Sequence, residues 1–207
     1  MLLQIIDDVN NALNVKAYLA ALALVLTIPD ICGRAKYGEI GTKKRYIDWY
    51  DEYIGAYENG KDATNDNVPS DIEICSDTKK SLDTENNPDD ETPYLSGEIV
   101  YSLRNSVLHQ GTTNFKKNRI KDESNRIDHF IIEVESKKQC NIYCDSPMDI
   151  NPHYQKTYHM SLRRLCLIIT STANKYYNEN KEKFNFFSYN IVDKDIENHL
   201  NNSSEFK

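Results

Sequence analysis

Between Pro93 and Gly111 the sequence leaves the backbone little choice. Leu95, Ile99, Leu103 and Val107 recur at helical spacing with Val100 beside them, the one-sided stripe of a helix that packs on a core. Pro93 precedes the stripe, and Gly111 stands where a left-handed cap ends a helix. A helix with one apolar stripe must be covered by other elements, so the rest of the chain has to supply them.

Helical rhythm does recur elsewhere. From Leu3 to about Thr27, Ile5, Ile6, Val9, Leu13, Ala17, Leu22, Val25 and Leu26 predict a helix that becomes apolar nearly all round in its second half, a central core element stopping near Pro29, with Gly33 a further breaker. From Thr42 to Ile54, the spacing of Tyr46, Trp49, Tyr50, Tyr53 and Ile54 predicts a second, with the single Trp as a core anchor. Met160, Leu162, Leu165, Cys166, Ile168, Ile169, Ala173, Tyr176 and Tyr177 predict a long helix within 158–184. Two strand-like runs, Ile127 to Val134 and Cys140 to Cys144, flank a polar link and predict a β-hairpin, with His129 structural. The expected class is mainly α.

At 207 residues the chain suits one domain, here 1–207. The net charge of -7 argues at first against a nucleic-acid partner, but between Glu58 and Glu91 eleven Asp and Glu face three Lys, a net of -8, so the remainder is close to neutral. That acidity lies in residues 59–92, rich in Asn, Asp, Ser and Thr with only Ile72, Ile74 and Cys75 as an apolar cluster, and is read as a mobile acidic insertion. The tail past Phe186 is mixed, and its end, from Asn201, is read as frayed.

Five scattered cysteines, with Cys140 and Cys144 as at most half of a metal site, point to buried thiols in a reduced, cytoplasmic protein. The apolar run Ala17 to Ile28 is too short to span a bilayer, so neither a membrane span nor a signal peptide is expected.

The helix ending at Gly111 has a second face. At about 100° per residue, Tyr101, Asn105, Leu108 and His109 lie opposite the stripe, with Glu98 among them and Arg104 at the edge. Helix-dipole stabilisation of His109 and a solvated Arg104 would account for these residues without any function. Past the helix, Lys116, Lys117, Arg119 and Lys121 form a basic run that could hold a phosphate backbone, diluted by Asp122 and Glu123. Arg163 and Arg164 are further cations that could meet a phosphate or an acidic neighbour.

The order Leu103-Arg104-Asn105-Ser106-Val107-Leu108-His109-Gln110-Gly111 resembles the Arg-x4-x6-His signature of the HEPN (higher eukaryotes and prokaryotes nucleotide-binding) superfamily, whose common form places a polar residue after the Arg. The resemblance implies an antiparallel bundle of four to five helices, here with the inserted β-hairpin around 127–144. It implies a homodimer through the motif helix and a composite site, free of metal and cofactor, that cleaves RNA. It also implies a toxin or antiviral role, with a cognate antitoxin or a nucleotidyltransferase as candidate protein partner.

RNA supplies its own nucleophile, the 2′-hydroxyl. Cleavage then needs proton transfer at two oxygens and a cation for the charge that builds on phosphate. On that scheme His109 is the general acid/base, Arg104 the phosphate clamp and Asn105 the group that orients one of them, with Tyr101, Lys116, Lys117, Arg119 and Lys121 on the RNA. Arg104 and His109 point roughly 140° apart on one helix, so one copy converges poorly and two facing copies are needed. Two alternatives stay open: a non-catalytic module of the same fold that binds nucleotide, nucleic acid or a partner protein, and a structural protein whose acidic segment binds a basic partner. Gly-rich phosphate loops, His-Glu-x-x-His and Gly-x-Ser-x-Gly do not occur.

Overall fold

The computed structural model describes residues 1–55, 94–113, 120–122, 125, 127–134, 144–145 and 157–186. The acidic segment 59–92, the end of the tail, Cys140 and the cations Lys116, Lys117 and Arg119 lie outside the described residues. Six α-helices dominate what is described: α1 (Leu2–Asn14), α2 (Tyr18–Val25), α3 (Ile28–Tyr37), α4 (Thr42–Tyr50), α5 (Gly97–Gln110) and α6 (Leu162–Glu179). A small sheet, β1 (His129–Glu133), β2 (Cys144–Asp145) and β3 (Thr157–Ser161), completes it, and the class is mainly α as expected.

The single N-terminal helix expected over Leu3 to Thr27 is two helices packed on each other. Lys16 adopts φ 61°, its N–H donates to the Leu13 carbonyl, and the Ala17 N–H donates to Ala12. That is a left-handed helix stop built on lysine instead of glycine, and the chain turns back there. The stop expected near Pro29 is present, since α2 ends at Val25 with Leu26 as its C-cap, and Pro29 belongs to the helix that follows. It sits in the first turn of α3, where the missing N–H costs no hydrogen bond. Taken together across the turn at Leu26 and Thr27, Tyr18–Tyr37 make 20 residues, with an 18-residue window of mean hydropathy 1.4 that is 44% buried. Such a stretch is longer than the apolar run read from the sequence, and by length and composition alone it could cross a membrane, a test that a buried core helix passes too.

Gly33, read as a breaker, is inside α3 because α4 crosses there. A Cβ at that position would collide with the Arg45 carbonyl, and the side chain of the same Arg45 reaches back to Asp30 at 2.6 Å. α4 ends in a π turn, Asp51–Gly55, so the predicted Thr42–Ile54 helix holds with its last turn widened. Tyr46, Trp49, Tyr50 and Ile54 are all fully buried, with Trp49 stacked on Tyr53 at 5.3 Å and edge-on to Tyr176 at 5.9 Å.

The expected hairpin is a different sheet. β1 pairs in parallel with β3, Phe130 opposite Tyr158 and Ile132 opposite Met160, while Cys144–Asp145 pairs antiparallel with β3, giving the order β1-β3-β2. Tyr158 to Ser161 are all buried, so they show none of the alternation that marks a half-exposed strand and blend into the helical run that follows. α6 starts only at Leu162, capped by the Ser161 hydroxyl, which accepts from the Arg164 N–H at 3.3 Å. Residues from every helix and from β1 and β3 join one hydrophobic core.

Candidate functional site

α5 ends at Gly111 as its sequence predicts but starts later than the stripe suggests, at Gly97, which leaves Leu95 ahead of the helix. The Ser96 hydroxyl accepts from the Ile99 N–H, and Gly111 closes the helix at φ 62°. Leu95, Ile99, Val100 and Leu103 are buried, Val107 is only half-buried, and Ser102 and Ser106 share the buried side. Small side chains at 102 and 106 let neighbouring elements approach α5 closely.

The N-terminus of α5 is held by a residue that sequence reading missed. The Gly97 N–H donates to Asp51 Oδ1 at 2.6 Å, a hydrogen bond across 46 residues that ties the π turn to the motif helix. Gly97 has to be glycine, since a Cβ there would lie 2.7 Å from the Ile47 carbonyl oxygen and 3.1 Å from the same Asp51 oxygen. Glu98, next in line, accepts from the Lys121 backbone N–H at 2.9 Å and faces Lys43 at 3.6 Å. No spacing signal links positions so far apart.

Burial raises the Asp51 carboxyl above the usual range, with the Gly97 hydrogen bond acting against it. The sign follows: the folded state holds its proton to higher pH than the unfolded one, so this group's contribution to stability is full at low pH and is lost as pH rises through the folded value. Asp51→Asn, which keeps an acceptor for Gly97 and removes the buried charge, should therefore match or exceed the native stability at neutral pH. Asp51→Ala should cost about 1–3 kcal/mol by orphaning the N–H. Urea denaturation of the two variants checks the pair, and equal losses from both would remove the carboxylate from this role.

On the outward side, Arg104, Asn105 and Tyr101 are brought together. Arg104 Nη1 donates to Asn105 Oδ1 at 3.2 Å, and the guanidinium carbon lies 5.9 Å from the centroid of the Tyr101 ring. Tyr101 is half-buried and meets Tyr46 edge-on at 5.2 Å, and the buried Tyr46 hydroxyl donates to the Leu26 carbonyl at 3.1 Å. Burial pushes the Tyr46 phenol far up, and the nearby Arg104 charge opposes the shift. Arg104 Nε is enclosed and has no hydrogen-bond partner among the described residues.

His109 is not part of this group. It is exposed in the last turn, beside the Gly111 cap. Its imidazole sits where a helix dipole favours positive charge. Lys121 is exposed too, but its backbone is bonded to Glu98. Glu98 stands about 16 Å along the axis from His109 at 1.5 Å per residue. Proximity in sequence thus does not translate into proximity to the imidazole. Cys32 and Cys166 are buried free thiols, the latter pushed up to about 12 by burial, and among the described residues no group of His, Cys, Asp and Glu is arranged to hold a metal. Comparison with known protein families, characterised proteins and solved structures gives no match for this chain.

Proposed function

We propose that the chain is a HEPN-like helical bundle that cleaves RNA as a homodimer, without metal, through Arg104, Asn105 and His109. The observation that supports this reading best is the exposure of His109 at the capped end of the same helix whose outward side carries a bonded Arg104–Asn105 pair. An exposed imidazole is free to exchange protons, and a guanidinium with unused donors can take phosphate oxygens. In the reaction the 2′-oxygen attacks phosphorus and the bond to the 5′-oxygen breaks, leaving a 2′,3′-cyclic phosphate and a 5′-hydroxyl. His109 of one copy takes the 2′-hydroxyl proton, the second copy's imidazole protonates the departing oxygen, and Arg104 balances the charge that builds on phosphate. Two copies meet this need because the two side chains diverge on a single helix. Lys116, Lys117 and Arg119 add a basic run for the RNA strand.

The half-buried state of Arg104 favours a second reading, a non-catalytic module of the same fold in which Arg104 and Tyr101 pack more than they bind. Incubating the purified chain with end-labelled RNA in EDTA, alongside sedimentation equilibrium, separates the two. Cyclic-phosphate products from a dimer are the expected result. Intact RNA with a dimer selects the module, and a monomer at micromolar concentration sinks the composite site.

A further inference from the structure

A guanidinium binds a phosphate or carboxylate best through two parallel N–H bonds, one of which is commonly that of Nε. In Arg104 that edge is shut. Nε is enclosed without an acceptor among the described residues, while Nη1, on the side of the guanidinium away from the Nε–H, donates to Asn105 Oδ1 at 3.2 Å and holds the group in place. The Tyr101 ring 5.9 Å from the guanidinium carbon is itself fixed by Tyr46, whose hydroxyl is tied to Leu26. A donor enclosed without an acceptor among the described residues gains free energy wherever the side chain can turn so that Nε meets an oxygen.

We infer that Arg104 is parked: Tyr101 and Asn105 hold the guanidinium against α5 in the free chain, and an oxyanion turns it outward to bind through Nε and a terminal nitrogen. On the reading of Arg104 as phosphate clamp, on which this rests, Asn105 is a positioning residue that restrains the arginine, and the oxyanion is the phosphodiester of the substrate. Turning outward satisfies the orphaned Nε–H and releases the Asn105 amide. The resting site is therefore less receptive to phosphate than its residue types suggest.

The probe is inorganic phosphate, and the readout is the Arg104 Nε–Hε resonance of the full chain, assigned through Arg104→Lys. In the free protein that proton should exchange slowly with water, and phosphate should shift it saturably. Asn105→Ala should bind phosphate about 5-fold more tightly, the scale of one released hydrogen bond, and its free Nε–Hε should exchange faster. Tyr101→Leu, a second way to release the guanidinium, should act in the same direction. A resonance that ignores phosphate, or an Asn105→Ala chain that binds it no better than the native one, overturns the parked arginine. Because phosphate binding is read without RNA turnover, a shifting resonance in a chain that leaves RNA intact would end the nuclease reading and uphold this one.

Discussion

If the chain is the RNA-cleaving homodimer proposed above, replacing His109 by alanine is expected to lower cleavage in EDTA by about 10²–10⁴-fold, the range that a positioned acid/base group contributes, while leaving the fold and that dimer in place. The separation of the two effects follows from where the residue sits. His109 is exposed in the last turn of α5, outside the apolar stripe. Its loss removes only a favourable helix-end interaction, about 0.3–1 kcal/mol at most at an exposed site. A denaturation midpoint close to native, together with abolished cyclic-phosphate formation, is the combined result that assigns chemistry to this imidazole. Cleavage at the native rate would remove His109 from the mechanism and return it to the role of a helix-end cation. A large fall in both stability and activity would mean that the residue packs against something, and would deprive the kinetic loss of its meaning.

The elements that sequence reading located were those fixed by local periodicity. α5 closes at Gly111, Tyr46, Trp49, Tyr50 and Ile54 are buried as spaced with Tyr53 half-buried, and Trp49 is a core anchor, because each depends on residues within a turn or two of one another. The misreadings share a cause as well. Lys16 stops α1 in a conformation usually given to glycine, so nothing in Asn14-Val15-Lys16 announces the turn. Pro29 follows the end of α2 as expected, yet it also sits in the first turn of α3, a second role that a proline alone does not announce. β3 is buried from Tyr158 to Ser161 and pairs in parallel with a strand well upstream, and both facts are invisible to a test for alternation between neighbouring runs. The site divides along the same line. Arg104, Asn105 and Tyr101 touch because one helix carries them, whereas the hydrogen bond from Gly97 to Asp51 joins residues that only the tertiary fold brings together.

Trp49→Ala should be the most damaging single truncation among the aromatic anchors, costing about 3–5 kcal/mol, the usual range for emptying a buried aromatic site. Trp49 is 0% exposed, stacks on Tyr53 at 5.3 Å and meets Tyr176 edge-on at 5.9 Å, so its indole joins the turn after α4 to α6. On a chain of this size the loss corresponds to a fall in melting temperature of roughly 10 °C. Trp49→Phe should be much milder than its lost volume suggests. The indole Nε1 is buried with no hydrogen-bond partner among the described residues, and phenylalanine removes that orphaned donor along with the second ring. The cavity and the relieved N–H act in opposite directions, leaving a net cost of about 1 kcal/mol. Trp49 is the only tryptophan, so native unfolding can be followed by its fluorescence, but both variants have to be followed by far-ultraviolet circular dichroism. A phenylalanine variant as unstable as the alanine one would show that the indole N–H is satisfied after all, by a group that the neighbouring aromatic rings do not provide.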